Sequence, residues 1–170
     1  MHERILVVDD DVNLLKTIMK LLESEGYDVD GANSGEEALD KIKTEFFDLI
    51  IQDVRMPGID GLTVVEKVRE YQGNTDRRSF VLICTGFASE DAPVKALKMG
   101  AIDYILKPFE MDDFLHSIEH NMRLIRAVRD KEYFFKKLAE SNKKLKTALS
   151  ELDTVRGLSE KHKKLLDGDE

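Results

Sequence analysis

Short apolar runs in this sequence are followed directly by side chains suited to phosphate chemistry. These are the carboxylates of Asp9, Asp10 and Asp53, the hydroxyl of Thr85 and the ammonium of Lys107. A short Val/Ile/Leu run is typical of a strand buried in a parallel sheet, and open α/β sheets bind ligands at the carboxyl ends of such strands. Acids, a hydroxyl and an ammonium at one sheet edge are the groups that phosphoryl transfer to a carboxylate requires.

The three acids also predict a metal site. Two like charges 4 Å apart repel by about 4 kcal/mol at an effective dielectric of about 20. A divalent cation relieves this repulsion, and oxygen ligands favour a hard ion such as Mg²⁺. No His or Cys flanks Asp9, Asp10 or Asp53, which argues against zinc. The alternative is that Asp9 to Asp11 only cap a helix, a role that we expect of Asp11 itself.

Asp53 is positioned as a nucleophile, because it follows an apolar run and precedes the turn residues Pro57-Gly58. A carboxylate can attack phosphorus and hold an acyl phosphate. Lys107 would stabilise charge on the phosphoryl oxygens, and Thr85 would donate its hydroxyl to the same oxygens. Taken singly, however, a lysine before a proline is more often a surface lysine.

Five apolar runs alternate with segments of helical periodicity. The runs are Ile5–Val8, Tyr27–Ala32, Leu49–Gln52, Phe80–Cys84 and Ile102–Leu106. This alternation predicts an α/β fold, and right-handed crossovers leave few topologies. Asp11 and Ser34 are placed to cap helices, and Gly26 and Gly100 to end them. We predict a flavodoxin-like, doubly wound sheet of five parallel strands in the order 2-1-3-4-5, with a long C-terminal α-helix.

The 170-residue chain divides by charge into an acidic body and a mildly basic end. Residues 1–122 contain 13 Lys and Arg against 25 Asp and Glu, and residues 123–170 contain 13 against 9. The acidic body argues against direct nucleic-acid binding, and the mixed charges that follow are typical of a solvated helix. The apolar runs fall far short of the ~20 residues that span a bilayer. We therefore predict a soluble, cytoplasmic protein with no membrane partner.

Helical periodicity from Met111 onward continues past any helix that the sheet requires. With Val128, Phe135, Asn142 and Leu149 at heptad position a, the d positions are Leu124, Lys131, Leu138, Leu145 and Leu152. Most are apolar, and Asn at position a fixes the register of two-stranded coiled coils. The strong stretch covers about three heptads, near the lower limit for a coiled coil. We predict a parallel homodimer through this helix; the alternatives are a single solvated helix and a linker that folds only beside another domain.

Taken together, the motifs resemble a known family. The matching residues are Ile5-Leu6-Val7-Val8-Asp9-Asp10, Asp53 with Met56-Pro57-Gly58-Ile59-Asp60-Gly61, Thr85-Gly86, Tyr104 and Lys107-Pro108-Phe109, which look like the receiver domain of two-component response regulators. The match covers about residues 3–122. We therefore expect a receiver domain over 1–122 and a helical extension or linker over 123–170. The resemblance implies a regulatory phosphoacceptor domain rather than an enzyme, with a histidine kinase as partner.

The resemblance also implies roles for individual residues. Asp53 accepts the phosphoryl group from the phosphohistidine of the kinase. Asp10, Asp53 and the carbonyl of Arg55 bind Mg²⁺, and Asp9 helps directly or through water. The signal then passes through the C-terminal helix, in this chain or to an output domain outside it.

Thr85 and Tyr104 form the switch pair by the same resemblance: the hydroxyl moves to the phosphoryl group and the ring turns inward. Phosphorylation adds about −1.5 to −2 charges and three strong acceptors at one point. Moving a two-state element from 1:99 to 99:1 requires about 5.5 kcal/mol of differential stabilisation. The other interpretation of Tyr104 is an edge aromatic with a solvated hydroxyl. Phe87, two residues after Thr85, is placed to limit the attack of water on the acyl phosphate.

Two other classes of protein share parts of this pattern. Aspartate-nucleophile phosphatases usually have a second acid two residues after the nucleophile, where this chain has Arg55. A flavodoxin-like cofactor-binding protein would have a Gly-rich phosphate loop after the first strand, and none follows Val8 here. A further alternative is that the chain is the receiver fragment of a larger hybrid or multidomain regulator.

Overall fold

A computed structural model describes residues 3–72, 78–86 and 92–166. Strands and helices alternate in the order β1 Arg4–Val8, α1 Val12–Ser24, β2 Asp28–Ala32, α2 Gly35–Thr44, β3 Leu49–Gln52, α3 Gly61–Gln72, β4 Phe80–Thr85, α4 Ala92–Met99, β5 Asp103–Leu106 and α5 Met111–Leu166. All five strands are parallel and form one sheet in the order β2-β1-β3-β4-β5. The predicted doubly wound fold, its strand order and the long C-terminal helix are confirmed, and each strand begins and ends within one residue of its predicted run.

Alternate strand residues point to opposite faces of the sheet, and each face has its own apolar core. The α2–α4 core contains Leu6, Val8, Ile50 and Ile83 of the sheet with Ala38, Leu39, Val64, Val65, Val68 and Ala96 of the helices. The α1–α5 core contains Ile5, Val7, Ile51 and Leu82 with Leu15, Ile18, Leu22, Phe114, Ile118, Met122 and Ile125. Burial on both faces explains why the central strands are apolar throughout rather than alternating.

The helix ends are where the sequence predicts them. The carboxylate of Asp11 accepts two backbone N–H groups in the first turn of α1, and the hydroxyl of Ser34 accepts one in α2. Gly26 and Gly100 follow α1 and α4 with φ of +89° and +100°, in the left-handed region that favours glycine. The Asp11 cap ends the β1–α1 turn and so keeps Asp9 and Asp10 at the carboxyl edge of the sheet.

The chain divides into two compact units, Met1–Ile125 and Arg126–Glu170. In the first unit, the residues of α5 up to Ile125 close the α1–α5 core. In the second unit, the apolar side chains are exposed: Val128, Tyr133, Phe134, Phe135, Leu138, Leu145, Leu149, Leu152, Val155 and Leu158. Over the described ranges, every helix is too short or too polar to cross a bilayer.

Candidate functional site

The three predicted acids lie together at the carboxyl edge of the sheet. Asp9 and Asp53 come directly after β1 and β3, and the backbone N–H of Asp53 donates to the carbonyl of Val8 at 2.9 Å, so the two acids lie side by side. One carboxylate oxygen from each of Asp9, Asp10 and Asp53 lies within 4.8 Å of the other two. Asp9 and Asp53 are buried, whereas Asp10 is exposed. Three hard oxygen donors at this separation match the ligand preference of Mg²⁺.

The ammonium of Lys107 lies between the two buried acids. Its Nζ donates to Oδ2 of Asp9 at 2.5 Å and to Oδ2 of Asp53 at 2.7 Å. The side chain of Lys107 is 17% exposed, and those of Asp9 and Asp53 are 4% and 8% exposed. Because buried carboxylates need a compensating charge, Lys107 stabilises both acids in this arrangement. A small part of the Asp53 side chain still reaches solvent, so the carboxylate is not sealed off.

These contacts shift the ionisation of both partners. Burial raises the pKa of Asp9 above its ordinary value, although the hydrogen bond and charge of Lys107 partly offset this. Burial alone would lower the pKa of Lys107, but its hydrogen bonds to Asp53 and Asp9 outweigh that effect and raise the pKa. Lys107 is therefore a fixed positive charge at neutral pH, placed beside the proposed acceptor oxygen.

Thr85 and Tyr104 lie on the same face of neighbouring strands. The register pairs Thr85 with Leu106 and Ile83 with Tyr104. Ile83 and Thr85 are on the same face of β4, because alternate strand residues share a face. Thr85 therefore lies two residues beyond Ile83, the residue that pairs with Tyr104, on the face that Tyr104 also occupies. Thr85 is 1% exposed, and Tyr104 packs partly buried against the α2–α4 core. Burial and the charge of Asp53 raise the pKa of Tyr104, so its hydroxyl stays protonated.

A tight loop between β3 and α3 brings Arg55 next to the acids. The backbone N–H of Arg55 donates to Oδ1 of Asp53 at 3.1 Å, and the N–H of Gly61 donates to the carbonyl of Val54 at 2.9 Å. A Cβ atom at position 61 would lie 2.0 Å from the carbonyl oxygen of Asp53, so only glycine fits there. Arg55 is exposed, and its backbone N–H ties it to the carboxylate of Asp53.

The first turn of α2 holds the far end of the same loop. The backbone N–H of Ile59 donates to Oε1 of Glu36 at 3.1 Å. Gly58 has φ of +80°, and a Cβ there would lie 2.5 Å from the same Glu36 oxygen. A Cβ at Gly35 would lie 2.4 Å from the carbonyl oxygen of Ile59. Sequence analysis assigned Glu36 no part in the site, because a contact across 23 residues leaves no local signal.

Sequence analysis also missed Gln52. This side chain is fully buried, and its Nε2 donates to the carbonyl oxygen of Asp53 at 2.7 Å and lies 3.9 Å from Sδ of Met56. The available signal was a polar residue at the end of the apolar run Leu49–Ile51, in a strand whose two faces are both buried. A buried amide requires a partner. Here Nε2 has the backbone carbonyl of the neighbouring residue, Asp53, as its partner, whereas the buried Oε1 has no hydrogen-bond partner among the described residues.

Cys84 lies within β4, and Phe87 follows this strand by two residues in the sequence. Cys84 is buried, and burial raises the pKa of its thiol to about 12, as suits a residue that only fills space. Phe87 lies outside the described residues. The expected shielding of the acyl phosphate by Phe87 therefore stays a prediction.

Fold and site together define a class: a doubly wound α/β protein with a cluster of acids and one lysine at the carboxyl edge of its sheet. The chain belongs to the response regulator receiver domain family, whose model matches residues 5–119. It is thus a receiver domain of two-component response regulators, a family of regulatory phosphoacceptor domains. This confirms the family that the motifs resemble.

Relatives from bacteria support this assignment. The transcriptional regulatory protein ZraR of Escherichia coli (strain K12) is 38% identical over 115 residues, which cover 68% of this chain and 25% of ZraR. The transcriptional regulatory protein DltR of Streptococcus agalactiae is 38% identical over 127 residues, covering 73% of this chain and 55% of DltR. The chain therefore spans about a quarter of the length of the first relative and about half of the second.

Solved structures agree on the fold. A CheY-like response regulator receiver domain protein from Methanospirillum hungatei JF-1 is 34% identical, with a TM-score of 0.68 over 75% of this chain and 98% of that one. A structure described as adenylate cyclase from Rhodopirellula baltica is 35% identical, with a TM-score of 0.71 over 81% of this chain and 99% of that one.

Proposed function

We propose that the chain is a phosphoacceptor module in which Asp53 receives a phosphoryl group from a histidine kinase. The observation that carries this proposal is the ammonium of Lys107, which contacts both Asp9 and Asp53 at the carboxyl edge of the sheet. A cation held beside a nearly buried carboxylate is suited to stabilising the charge of a transferring phosphoryl group. The proposed role is regulatory, and no turnover of a small substrate is part of it.

Asp9, Asp10 and Asp53 would hold Mg²⁺ together with the backbone carbonyl of Arg55. The residues fit this ion, since the three carboxylates offer oxygens within 4.8 Å of one another. The loop that carries Arg55 is fixed to Asp53 by the hydrogen bond from its backbone N–H. When bound, the ion would neutralise negative charge on the phosphoryl oxygens and on the acids around them.

The transfer step uses the carboxylate of Asp53 as nucleophile. One of its oxygens attacks phosphorus, the P–N bond of the phosphohistidine breaks, and the electron pair of that bond returns to the imidazole nitrogen. An acyl phosphate on Asp53 results. Lys107 begins the step on Oδ2 of Asp53 and can pass its hydrogen bond to a phosphoryl oxygen, so its positive charge stays in the site throughout.

The switch would use Thr85 and Tyr104. The phosphoryl group presents new acceptors, and the Thr85 hydroxyl at the end of β4 donates to one of them. This movement leaves room on the shared face of β4 and β5 for the ring of Tyr104 to turn inward. The partly buried ring and its packing against the α2–α4 core support this proposal.

The output would run through the C-terminal helix. We assign residues 1–122 to the receiver domain and 123–170 to the extension, which forms a parallel homodimer or leads to an output domain outside this chain. Exposed apolar residues at the predicted a and d positions support the dimer: Val128, Phe135, Leu138, Leu145, Leu149 and Leu152. We further propose that the protein acts in the cytoplasm.

The acceptor chemistry is tested by mass. The whole chain is incubated with Mg²⁺ and a small acyl-phosphate donor, beside the variants Asp53→Asn and Asp30→Asn. Asp30 is a matched aspartate outside the site, paired with Lys41. The parent and Asp30→Asn should gain one phosphoryl group, and Asp53→Asn should gain none. An equal gain in Asp53→Asn would overturn the proposal.

The dimer is tested by sedimentation of the whole chain with and without the donor. Leu145→Asp places a charge at a d position, and Thr147→Asp places the same charge two residues away, outside the a and d positions. A dimer that is lost in Leu145→Asp and kept in Thr147→Asp supports the assignment. A parent chain that stays monomeric at every concentration removes it.

A further inference from the structure

We propose that Gln52 is a positioning residue for the metal site: its buried amide fixes the loop that carries Arg55, so that the loop carbonyl and the carboxylate of Asp53 meet at one cation. This role rests on the Mg²⁺ site proposed above. It assigns a function to a residue that belongs to none of the motifs shared with the family.

The contacts of Gln52 lie on both sides of Arg55. Its Nε2 donates to the carbonyl of Asp53 at 2.7 Å and contacts Sδ of Met56 at 3.9 Å. Asp53 precedes Arg55 by two residues, and Met56 follows it directly. A single amide therefore restrains the loop before and after the residue whose carbonyl is a proposed ligand.

The backbone of Gln52 is held in place by the sheet. Gln52 is the last residue of β3, where it pairs with Val8 on β1 and with Ile83 on β4. Its side chain is fully buried at this central strand of the five-stranded sheet. The amide that contacts the loop thus extends from a residue of the sheet rather than from another loop.

At the start of α3, position 61 supplies no side chain that could replace this hydrogen bond. Gly61 lies against the carbonyl of Asp53, and a Cβ there would be only 2.0 Å from its oxygen. Without Gln52 the carbonyl of Asp53 would lose its side-chain donor. The loop would then depend on the hydrogen bonds from the backbone N–H groups of Arg55 and Gly61, and the Arg55 carbonyl would be held less firmly.

The test is Mg²⁺ binding, measured by calorimetry on the whole unphosphorylated chain. Gln52→Met keeps the length and burial of the side chain and removes the donor. Loss of a hydrogen bond that orients a metal ligand typically weakens metal binding by about 10-fold to 100-fold. We expect the Kd for Mg²⁺ to rise by at least about 10-fold in Gln52→Met, and to rise less in Gln52→Asn, whose shorter amide keeps the donor.

The matched control is Asn121→Leu. Asn121 is the other buried side-chain amide of the described residues and is 1% exposed. Its Nδ2 donates to Oδ2 of Asp103 at 2.6 Å, and Asp103 is not one of the three acids of the proposed metal site. Both substitutions remove a buried amide, but only Gln52→Met should change the Kd for Mg²⁺. Urea unfolding of each variant shows whether stability and metal binding separate.

The outcomes distinguish this role from the site itself. A parent that binds Mg²⁺ and a Gln52→Met variant that binds it equally well would overturn the role of Gln52 alone. An equal loss of binding in Asn121→Leu would do the same, because the effect would then follow general stability. A parent that binds no Mg²⁺ would overturn the metal site and this role together. If Gln52→Met does not fold, Gln52→Leu takes its place, because it also removes the donor, and an unchanged Kd in that variant would overturn the role.

Discussion

The ammonium of Lys107 lies 2.7 Å from Oδ2 of Asp53. The same ammonium contacts Asp9, so one cation serves two buried acids. In the proposed transfer to Asp53, Lys107 would therefore exchange a hydrogen-bond partner and stay in the site. Lys107 and Mg²⁺ would also compete for the same negative oxygens, so the loss of Lys107 should have opposite effects on Mg²⁺ binding and on the rate of transfer.

Replacing Lys107 with methionine should slow phosphoryl transfer and tighten Mg²⁺ binding. Loss of one preorganised donor typically costs on the order of 10²-fold in rate, and removal of the competing cation increases the attraction of the acids for the metal. The rate is measured with a small acyl-phosphate donor, and the Kd by calorimetry. Lys43→Met is the control, since Lys43 pairs with Asp40 at the surface of α2. Weaker Mg²⁺ binding in Lys107→Met would contradict this account of the pair.

Alanine should have opposite effects at two glycines. At Gly61 a Cβ meets the carbonyl oxygen of Asp53 at 2.0 Å, so the backbone must move, and we expect a loss of about 1–3 kcal/mol together with weaker Mg²⁺ binding. At Gly157 nothing lies within 4 Å of the added Cβ, and Ala should favour the helix by about 1 kcal/mol. Urea unfolding followed by circular dichroism measures both. Equal stability of the parent and Gly61→Ala would show that the loop adjusts freely.

The central strands and the site edge were predictable from the sequence for physical reasons. Strands β1, β3 and β4 are buried on both faces, and uninterrupted Val/Ile/Leu runs of this length suit few other structures. Once the strands are parallel, the residue after each one must lie at the same edge, which brings Asp9, Asp53 and Lys107 together. The contacts that fix the β3–α3 loop were not predictable. They depend on the path of the loop, and Glu36 reaches Ile59 across 23 residues.

The side-chain contacts of Gln52 are another feature that could not be predicted from the sequence. The position of Gln52 at the end of β3 could be predicted, and strand alternation places it on the same face as Ile50. The atoms that its amide contacts could not be predicted, because they depend on the side-chain conformation. Similarly, the pairing of Lys107 with both Asp9 and Asp53 depends on side-chain conformation rather than on strand order. Topology brings residues to one edge, and packing then decides which atoms touch.

Cys84 should resist alkylation in the folded protein. Its thiol is 2% exposed and burial raises its pKa to about 12, so at pH 8 the buried thiol is almost entirely protonated and out of reach of the reagent. Labelling with iodoacetamide at pH 8, followed by mass, should proceed only as fast as the fold opens. In urea the rate should approach that of a free thiol. Rapid labelling without urea would show that β4 is open to solvent.

The switch predicts that Thr85→Ala and Thr85→Ser behave differently. Both variants keep Asp53 and Lys107 and should become phosphorylated. Only Thr85→Ser keeps the hydroxyl that moves to the phosphoryl group, so only this variant should show the parent's change in the ring resonances of Tyr104 by NMR. If the Tyr104 resonances change in Thr85→Ala as much as in the parent, the ring moves independently of the Thr85 hydroxyl.

The central claim is that the phosphoryl group forms an acyl phosphate on Asp53 and on no neighbouring acid. The most direct measurement is fragmentation mass spectrometry of the phosphorylated chain, which assigns the added group to a residue. The account predicts that the group lies on Asp53, in the peptide that also contains Arg55 and Met56, and that removal of Mg²⁺ before the reaction prevents its appearance. A phosphoryl group found on Asp9 or Asp10, or one that forms equally without a divalent cation, would contradict it.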